Sequence, residues 1–297
     1  LMKVYLNRGA FLNRETPTFD NADMQMVVTL ADEIIGRYSL TENYFDNFNL
    51  NNHESSENIF VGANIGGSNS GDIYSILRTT LHYNMNPSGW NGFATLSDFY
   101  DKYEQADQRR SSPYSGVTNI SGMNMGFLMG PQVNAQGEAR EDRRGNPLSF
   151  TPEVSIIERG NNLEVTGIRV VKYVPDYANF GAGHAENDWV FLRYADVLLM
   201  KAEALLRMNQ AALALPLVNE VRTQRNATAL ATVSVDDLLD ELGREFFWES
   251  HRRTDLIRFG KYLDAWQEKP ASDPRALLFP IPLNQLGNTN LSQNPGY

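Results

Sequence analysis

One stretch of the sequence, HYNMNPSGWNGF from His82 to Phe93, combines aromatic and amide side chains around a predicted turn. The turn is indicated by the Pro-Ser-Gly triplet at positions 87–89, and glycines flank the aromatic residues that follow it. An aromatic ring matches the apolar C–H face of a pyranose, and amides supply donors and acceptors for its hydroxyl rim. This composition is typical of a neutral glycan site, whose candidate ligand-binding residues are Trp90, Phe93, Asn91, Tyr83, Asn84 and Asn86.

Trp90 also suits a purely structural role, because tryptophan is highly buried on average. In that interpretation its ring fills the core beneath the turn and meets no ligand. The sequence leaves both alternatives open. The same two alternatives apply to Tyr83 and Tyr114, each of which either contacts a ligand or belongs to the core.

The sequence contains no standard signature of catalysis or of metal or cofactor binding. HExxH, GxSxG and P-loop motifs are missing, and the GAGH string at Gly181–His184 lacks the third glycine of a dinucleotide site. The four histidines are scattered without metal-ligand spacing, and no EF-hand spacing is present. We therefore predict a protein that is not an enzyme and that holds no metal and no cofactor. A glycoside hydrolase stays as a less favoured alternative, since its two carboxylates follow no fixed motif.

A charged run from Arg244 to Arg258 also invites a catalytic interpretation, because Glu245 and Glu249 lie one turn apart on a helix. Alternating charges near a helix end are far more often structural ion pairs. We favour the structural interpretation here. We also favour a structural ion-pair and hydrogen-bond cluster for Asp107, Arg109 and Arg110.

Charge and composition disfavour several classes of function. The 297 residues carry a formal net charge of −10, which argues against nucleic acid as a partner, since such binding needs clustered Lys and Arg. The same acidic balance disfavours a polyanionic ligand. The chain has no cysteine for a disulfide, a thiolate metal site or a cysteine nucleophile. No segment approaches the roughly 20 apolar residues of a membrane-spanning helix.

Apolar periodicity predicts a helical hairpin in the C-terminal third of the chain. Apolar residues recur at three- and four-residue steps from Arg193 to Met208, and a second periodic segment begins at Leu213. Asn209 and Gln210 between them leave room only for a tight turn. A third helix is predicted to begin at Ser234, whose hydroxyl can cap the freed amides.

A second helical pair is predicted near the start of the sequence. It comprises Val4 to Leu12 and Asn21 to Gly36, with Asp20 or Asn21 as the cap of its second helix. Two pairs of similar length, separated by a long insertion, suggest tetratricopeptide-like hairpins stacked side by side.

The insertion from Tyr38 to Asp188 has little helical pattern, but recurrent aromatic residues disfavour disorder. Asp98 to Tyr103 predicts a short helix. Val154–Ile157 and Leu163–Val171 predict the two strands of a β-hairpin, with Gly160, Asn161 and Asn162 at its turn.

The predicted fold is therefore mostly α, with tetratricopeptide-like helical hairpins carrying a long irregular, loop-rich insertion and a small β-hairpin. We divide this single unit into a helical pair at 1–37, a loop-rich candidate ligand-binding insertion at 38–188, a helical repeat region at 189–261 and an extended proline-rich tail at 262–297.

Several strings resemble the middle and C-terminal portion of the SusD/RagB family. They are GWNGFATLSDFYDKYEQADQRR, RYADVLLMKAEAL, LVNEVRTQR, REFFWESHRRTDLIRFGK, FPIPLNQL and QNPGY, in this order. Members of that family are outer-membrane nutrient-binding lipoproteins of Bacteroidetes, which bind nutrients, usually glycans, and pass them to a SusC-like TonB-dependent transporter. The resemblance implies that this sequence is a fragment lacking the N-terminal portion, with its signal peptide and lipidated cysteine.

The resemblance also implies a place and a set of partners. The full-length protein is expected at the cell outer membrane, on its extracellular face and anchored by lipid, with an oligosaccharide or polysaccharide ligand. The leading hypothesis is a glycan-binding component of a nutrient uptake system. The alternative is a protein-interaction scaffold of the transporter complex without its own sugar site.

Overall fold

The computed structural model describes residues 1–65, 73–157, 160 and 162–297. Its described helices are α1 (Met2–Leu12), α2 (Asn21–Asp32), α3 (Ile73–Thr80), α4 (Ser97–Tyr100), α5 (Thr118–Ser121), α6 (Tyr194–Arg207), α7 (Ala211–Gln224), α8 (Val235–Glu245) and α9 (Arg252–Arg258). Its described strands are β1 (Asn58–Gly62), β2 (Ser111–Ser112), β3 (Met125–Leu128), β4 (Gly130–Pro131), β5 (Ser149–Phe150), β6 (Arg169–Val171) and β7 (Trp189–Arg193). The predicted mostly helical fold is confirmed.

The two predicted helical pairs form and stack on each other. Helix α1 packs on α2, α2 on α6, and α6 on α7. Between α6 and α7, Asn209 adopts a left-handed backbone with φ of 60°, which allows the tight turn predicted there. The apolar faces meet in one buried cluster, whose central members include Leu6, Met24, Leu198 and Val218.

Local capping chemistry accounts for where two of these helices begin. The Ser234 hydroxyl accepts a hydrogen bond from the Asp237 amide, and the Asp237 carboxylate accepts one from the Ser234 amide. Asp20 caps α2 as predicted. Helix α2 ends at Asp32, four residues before the predicted end at Gly36, because the next amides turn back onto the carbonyl of Ala31.

The insertion has a core of its own, built largely from aromatic rings. Tyr44, Phe48 and Phe127 are fully or almost fully buried there. Phe127 stacks on Phe247, which follows α8, at 4.9 Å between ring centroids. The insertion core therefore packs directly against the end of the helical region.

The β-hairpin predicted within the insertion does not form at its predicted place. Residues 154–157 form no strand, and Leu163–Val165 is a short 3-10 helix. Strand β6 instead pairs antiparallel with β3, in a three-stranded sheet of order β2-β3-β6. The apolar side chains of β6 are buried in the insertion core, so this long-range pairing outweighs the local one. Asn161, predicted at the turn, lies outside the described residues.

Other short elements complete the insertion and the tail. The short helix predicted at Asp98–Tyr103 is observed as α4. Strands β4 and β5 form an antiparallel pair, as do β1 and β7. Residues 262–297 contain two 3-10 turns, Pro274–Leu277 and Leu283–Gln285. The Tyr297 hydroxyl donates to the carbonyls of Arg275 and Leu278, which holds the tail together.

Buried guanidinium and carboxylate groups join the two cores. Arg193 at the end of β7 donates to Glu57 (2.7 Å), Glu245 and Glu249 (2.9 Å). Arg225 bonds to Glu57 and Glu245 as well. The structural interpretation of the charged run after Arg244 is therefore confirmed. We call this set of ionic residues the buried ion network.

The predicted cluster around Arg109 belongs to the same network. Arg109 is fully buried and donates to Asp107 (2.6 Å), Glu241 (2.7 Å) and Glu245 (2.7 Å). The amide of Arg110 donates to the Asp107 carbonyl at 3.0 Å, but its side chain lies outside the network, donating to the Gln105 side chain at 2.7 Å and packing on an aromatic ring.

Candidate functional site

The candidate ligand-binding loop is held against the C-terminal end of α3. The amide of Trp90 donates to the carbonyl of Arg78 (2.6 Å), and the amides of Gly92 and Phe93 both donate to the carbonyl of Thr79 (2.8 and 2.9 Å). A helix leaves its last carbonyls without partners inside the helix, so this loop satisfies them. The positions of the loop aromatics are thus fixed by backbone hydrogen bonds.

Gly89 is required by the close approach of two backbone segments. Its amide donates to the carbonyl of His82 at 3.1 Å. A Cβ atom at this position would lie 1.9 Å from the carbonyl oxygen of Leu81, far inside van der Waals contact. The glycine that precedes Trp90 therefore has a packing role in addition to the turn role predicted from sequence.

The loop presents its aromatic side chains to solvent. Trp90 is 44% exposed, Phe93 61% and Tyr83 36%. The interpretation of Trp90 as a core plug is therefore wrong, and Tyr83 lies at the surface as well. Tyr114 is half-buried, and its hydroxyl donates to the Asp46 carboxylate at 2.8 Å. We call Tyr83, Trp90 and Phe93 the aromatic surface.

A cationic and aromatic group beside Trp90 was missed by the sequence interpretation. The Arg78 guanidinium lies 4.8 Å from the centre of the Trp90 ring and 5.3 Å from that of Tyr74. Tyr74 in turn packs on Phe180 at 4.7 Å between centroids. Arg78 and Tyr74 lie one turn apart on α3, a spacing that is visible in the sequence. Phe180 lies in a distant segment of the chain, so no local pattern indicates its contact with Tyr74.

The three candidate asparagines have different environments. The Asn91 amide is bonded within the protein, with Nδ2 donating to the Glu164 carbonyl (2.8 Å) and Oδ1 accepting from Arg169 Nε (2.9 Å). Asn84 is exposed, and its Nδ2 donates to the Glu141 carbonyl at 2.8 Å. Asn86 is exposed on the same loop. A ligand contact of Asn91 would need to replace hydrogen bonds that hold the loop.

Tyr83 is flanked by an ion pair. The Arg143 guanidinium lies 4.1 Å from the centre of its ring, and Arg143 Nε donates to Glu164 at 2.7 Å. The same carboxylate lies 3.6 Å from Nε2 of the buried His82, whose pKa is lowered by burial. The ion pair orients Arg143 along one edge of the aromatic surface.

The clustered carboxylates of the helical region are committed to ion pairs. Burial by itself raises the pKa of Glu241, but Arg109, Arg244 and Arg222 outweigh it and hold the pKa at about 2. Glu249 is held at a pKa of about 2 in the same way, chiefly by Arg193. Among the described residues, no group of three or more His, Asp or Glu side chains is placed to hold a metal ion.

A separate cleft of about 450 Å³ lies between α1, β7 and α9. Its wall includes Trp189, Phe191, His251 and Asp255. One carboxylate oxygen of Asp255 is buried and has no hydrogen-bond partner in the described residues. No pattern in the sequence pointed to this cleft, since its wall comes from three separate segments.

The fold and the exposed loop define a class of protein in which stacked helical hairpins support a surface of aromatic rings. The SusD family model matches residues 33–273, so the chain belongs to the SusD family. The starch-binding protein SusD of Bacteroides thetaiotaomicron is 35% identical over 147 residues, which are 44% of this chain and 26% of that relative. No described helix is long and apolar enough to cross a membrane.

Solved structures share the fold. A SusD superfamily protein from Parabacteroides distasonis has a TM-score of 0.69 at 18% identity, and the match covers 100% of this chain and 61% of that one. The surface glycan-binding protein A from Bacteroides thetaiotaomicron, in complex with laminarihexaose, has a TM-score of 0.66 at 20% identity, over 99% of this chain and 62% of that one. This chain thus spans about three fifths of the length of both structures.

Proposed function

We propose that this chain captures oligosaccharide on the aromatic surface, as the cell-surface glycan-binding component of an outer-membrane nutrient uptake system. The observation that carries the proposal is the exposure of Tyr83, Trp90 and Phe93 on a loop anchored to the end of α3. Exposed aromatic rings offer dispersion contacts to the C–H faces of sugar rings. The exposed Asn84 and Asn86 add amide groups that suit sugar hydroxyls.

Family membership supports the same role. One relative is named a starch-binding protein, and one structural neighbour is a surface glycan-binding protein in complex with laminarihexaose. We infer that the full-length protein lies on the extracellular face of the outer membrane, anchored by lipid. Its partner is then a SusC-like TonB-dependent transporter that receives the captured glycan.

We further infer that the chain binds sugar without cleaving it. A glycosidase needs two carboxylates that reach the glycosidic bond. Glu241, Glu245 and Glu249 are buried and ion-paired, so they do not meet a polysaccharide. Capture on an open surface leaves sugar hydroxyls partly hydrated, so we expect modest affinity.

The proposal is tested by calorimetric titration with laminarihexaose and maltohexaose, comparing the native chain with Trp90→Ala. Losing one stacking platform lowers affinity about tenfold. Trp266→Ala serves as the matched control, since Trp266 lies in the C-terminal tail. Identical titrations of the native chain and Trp90→Ala remove Trp90 from the site.

A second candidate function is a protein-interaction scaffold within the transporter complex. Apolar side chains exposed on α1 favour it, namely Val4 (59%), Phe11 (60%) and Leu12 (80%). Capture of the transporter by the native chain but not by a Phe11→Ser variant would support it. A chain that binds the transporter and no glycan would make the scaffold its principal role. Both roles are compatible within one protein.

A further inference from the structure

Three arginines contact the loop that carries the aromatic surface, and in the described part of the chain they bond only to neutral groups. Arg78 donates to the Tyr74 hydroxyl and packs on Trp90. Arg140 donates to the carbonyls of Ser121 (2.7 Å), Val133 (3.1 Å) and Asn84 (3.2 Å). These bonds orient the guanidinium groups and leave their positive charges in place.

The third arginine, Arg169, is the most enclosed. It is 2% exposed and donates to Asn91 Oδ1 (2.9 Å) and to the carbonyls of Thr166, Gly167 and Glu164 (2.6, 2.6 and 2.9 Å). Burial lowers its pKa to about 10, so it still carries its charge at neutral pH. A cation in a low-dielectric setting acts more strongly on nearby ligand charge than one in water.

The arginines of the helical region have carboxylates as partners. Arg109, Arg193 and Arg225 each bond to two or more carboxylates within the buried ion network. Within the described residues, positive charge is therefore neutralised there and retained beside the aromatic surface. The net charge of −10 belongs to the chain as a whole and does not describe this face.

No described carboxylate forms an ion pair with Arg78, Arg140 or Arg169. Glu164 is bound to Arg143 beside Tyr83, so these two charges balance each other. Asp142 accepts from backbone amides of its own turn. Glu141 is exposed on the same segment and opposes part of the local positive charge.

We propose that the aromatic surface prefers glycans that carry carboxylate groups, such as uronic acid residues, over neutral glycans. This inference rests on the proposed glycan capture and names its ligand class. Aromatic rings take the apolar face of each sugar, while Arg78 attracts the carboxylate at C6 of a neighbouring residue. The expectation from net charge, that an anionic ligand is disfavoured, is reversed because charges beyond about 8–10 Å are screened at physiological salt.

The test is calorimetric titration with hexagalacturonate and with laminarihexaose, at low and high sodium chloride. The native chain binds hexagalacturonate about tenfold more tightly at low salt, and the preference shrinks as salt rises. Arg78→Gln lowers hexagalacturonate affinity about threefold to tenfold, whereas Arg78→Lys, which keeps the charge, recovers part of it. Arg37→Gln removes the same charge from an exposed position beyond α2 and leaves both titrations unchanged.

Different failures have different meanings. Equal or tighter binding of laminarihexaose, without salt dependence, overturns the charge preference and leaves glycan capture standing. Hexagalacturonate binding that is insensitive to both Trp90→Phe and Arg78→Gln places the sugar elsewhere and overturns this inference. No binding of any oligosaccharide refutes capture itself, and with it the preference. Thermal unfolding of each variant establishes that it is folded.

Discussion

Replacing Glu245 by glutamine removes one negative charge from the centre of the buried ion network. The Glu245 carboxylate is fully buried and accepts from Arg109 at 2.7 Å, from Arg225 at 3.0 Å and from Arg193. Burial by itself raises the pKa of Glu245, but Arg225, Arg193 and Arg109 outweigh it and hold the pKa well below its usual range. Glutamine keeps the shape and removes the charge that these cations face.

The loss of unfolding free energy depends on which carboxylates the three arginines still contact. Breaking a buried ion pair by removing one partner costs about 3–5 kcal/mol, because an uncompensated charge stays in the interior. Each of the three arginines keeps another carboxylate, such as Glu57 for Arg225, so we expect the lower end of this range. Glu245→Gln should therefore lower the free energy of unfolding by about 3 kcal/mol.

The assay is equilibrium urea unfolding followed by tryptophan fluorescence and far-UV circular dichroism. With a slope of roughly 3 kcal/mol per molar urea, the midpoint should fall by about 1 M. Asp240→Asn is the matched control, because it breaks the exposed 2.7 Å ion pair with Lys102 and should cost less than about 1 kcal/mol. If Glu245→Gln costs no more than this control, the buried ion network does not contribute about 3 kcal/mol through Glu245.

Three further predictions concern single positions. Gly89→Ala should destabilise the loop by about 1–3 kcal/mol and shift Trp90 fluorescence, because its Cβ would lie 1.9 Å from the carbonyl oxygen of Leu81. Gly287→Ala should not change stability, since a Cβ there has nothing within 4 Å. Equal effects of the two variants would contradict the steric argument. Burial lowers the pKa of Lys172 to about 7, so the unfolded chain binds more protons above that pH. Stability should then rise with pH by about 2 kcal/mol between pH 7 and 9, measured by urea unfolding, and a Lys172→Met variant with an unchanged slope would refute this. Glu241, held at a pKa of about 2, should contribute stability that is present above about pH 4.3 and lost as pH falls toward 2. The Glu241→Gln variant should therefore lose less stability than the native chain between about pH 4.3 and 2. Superimposable acid-unfolding curves of the two proteins would contradict this prediction.

The helical scaffold could be predicted from the sequence because its determinants are local. Apolar residues at three- and four-residue steps predicted α6 and α7, and the Ser234 and Asp237 pair forms the capping box at the start of α8. Aromatic and amide residues around positions 87–89 also pointed to the loop that presents Trp90. Each of these signals lies within a few residues of the feature it predicts.

The remaining features depend on segments that meet only in the folded chain. Strand β6 pairs with β3 more than 40 residues away, in place of the nearer segment that suggested a hairpin. Whether Trp90 is buried or exposed was open in the sequence, and hydrogen bonds to the end of α3 decided it. The contrast between arginines paired with carboxylates in the buried ion network and those that have only neutral described partners beside the aromatic surface is likewise tertiary. Sequence determines the charge of a side chain and the period of a helix, whereas the groups that meet that charge are brought there by packing of the whole chain.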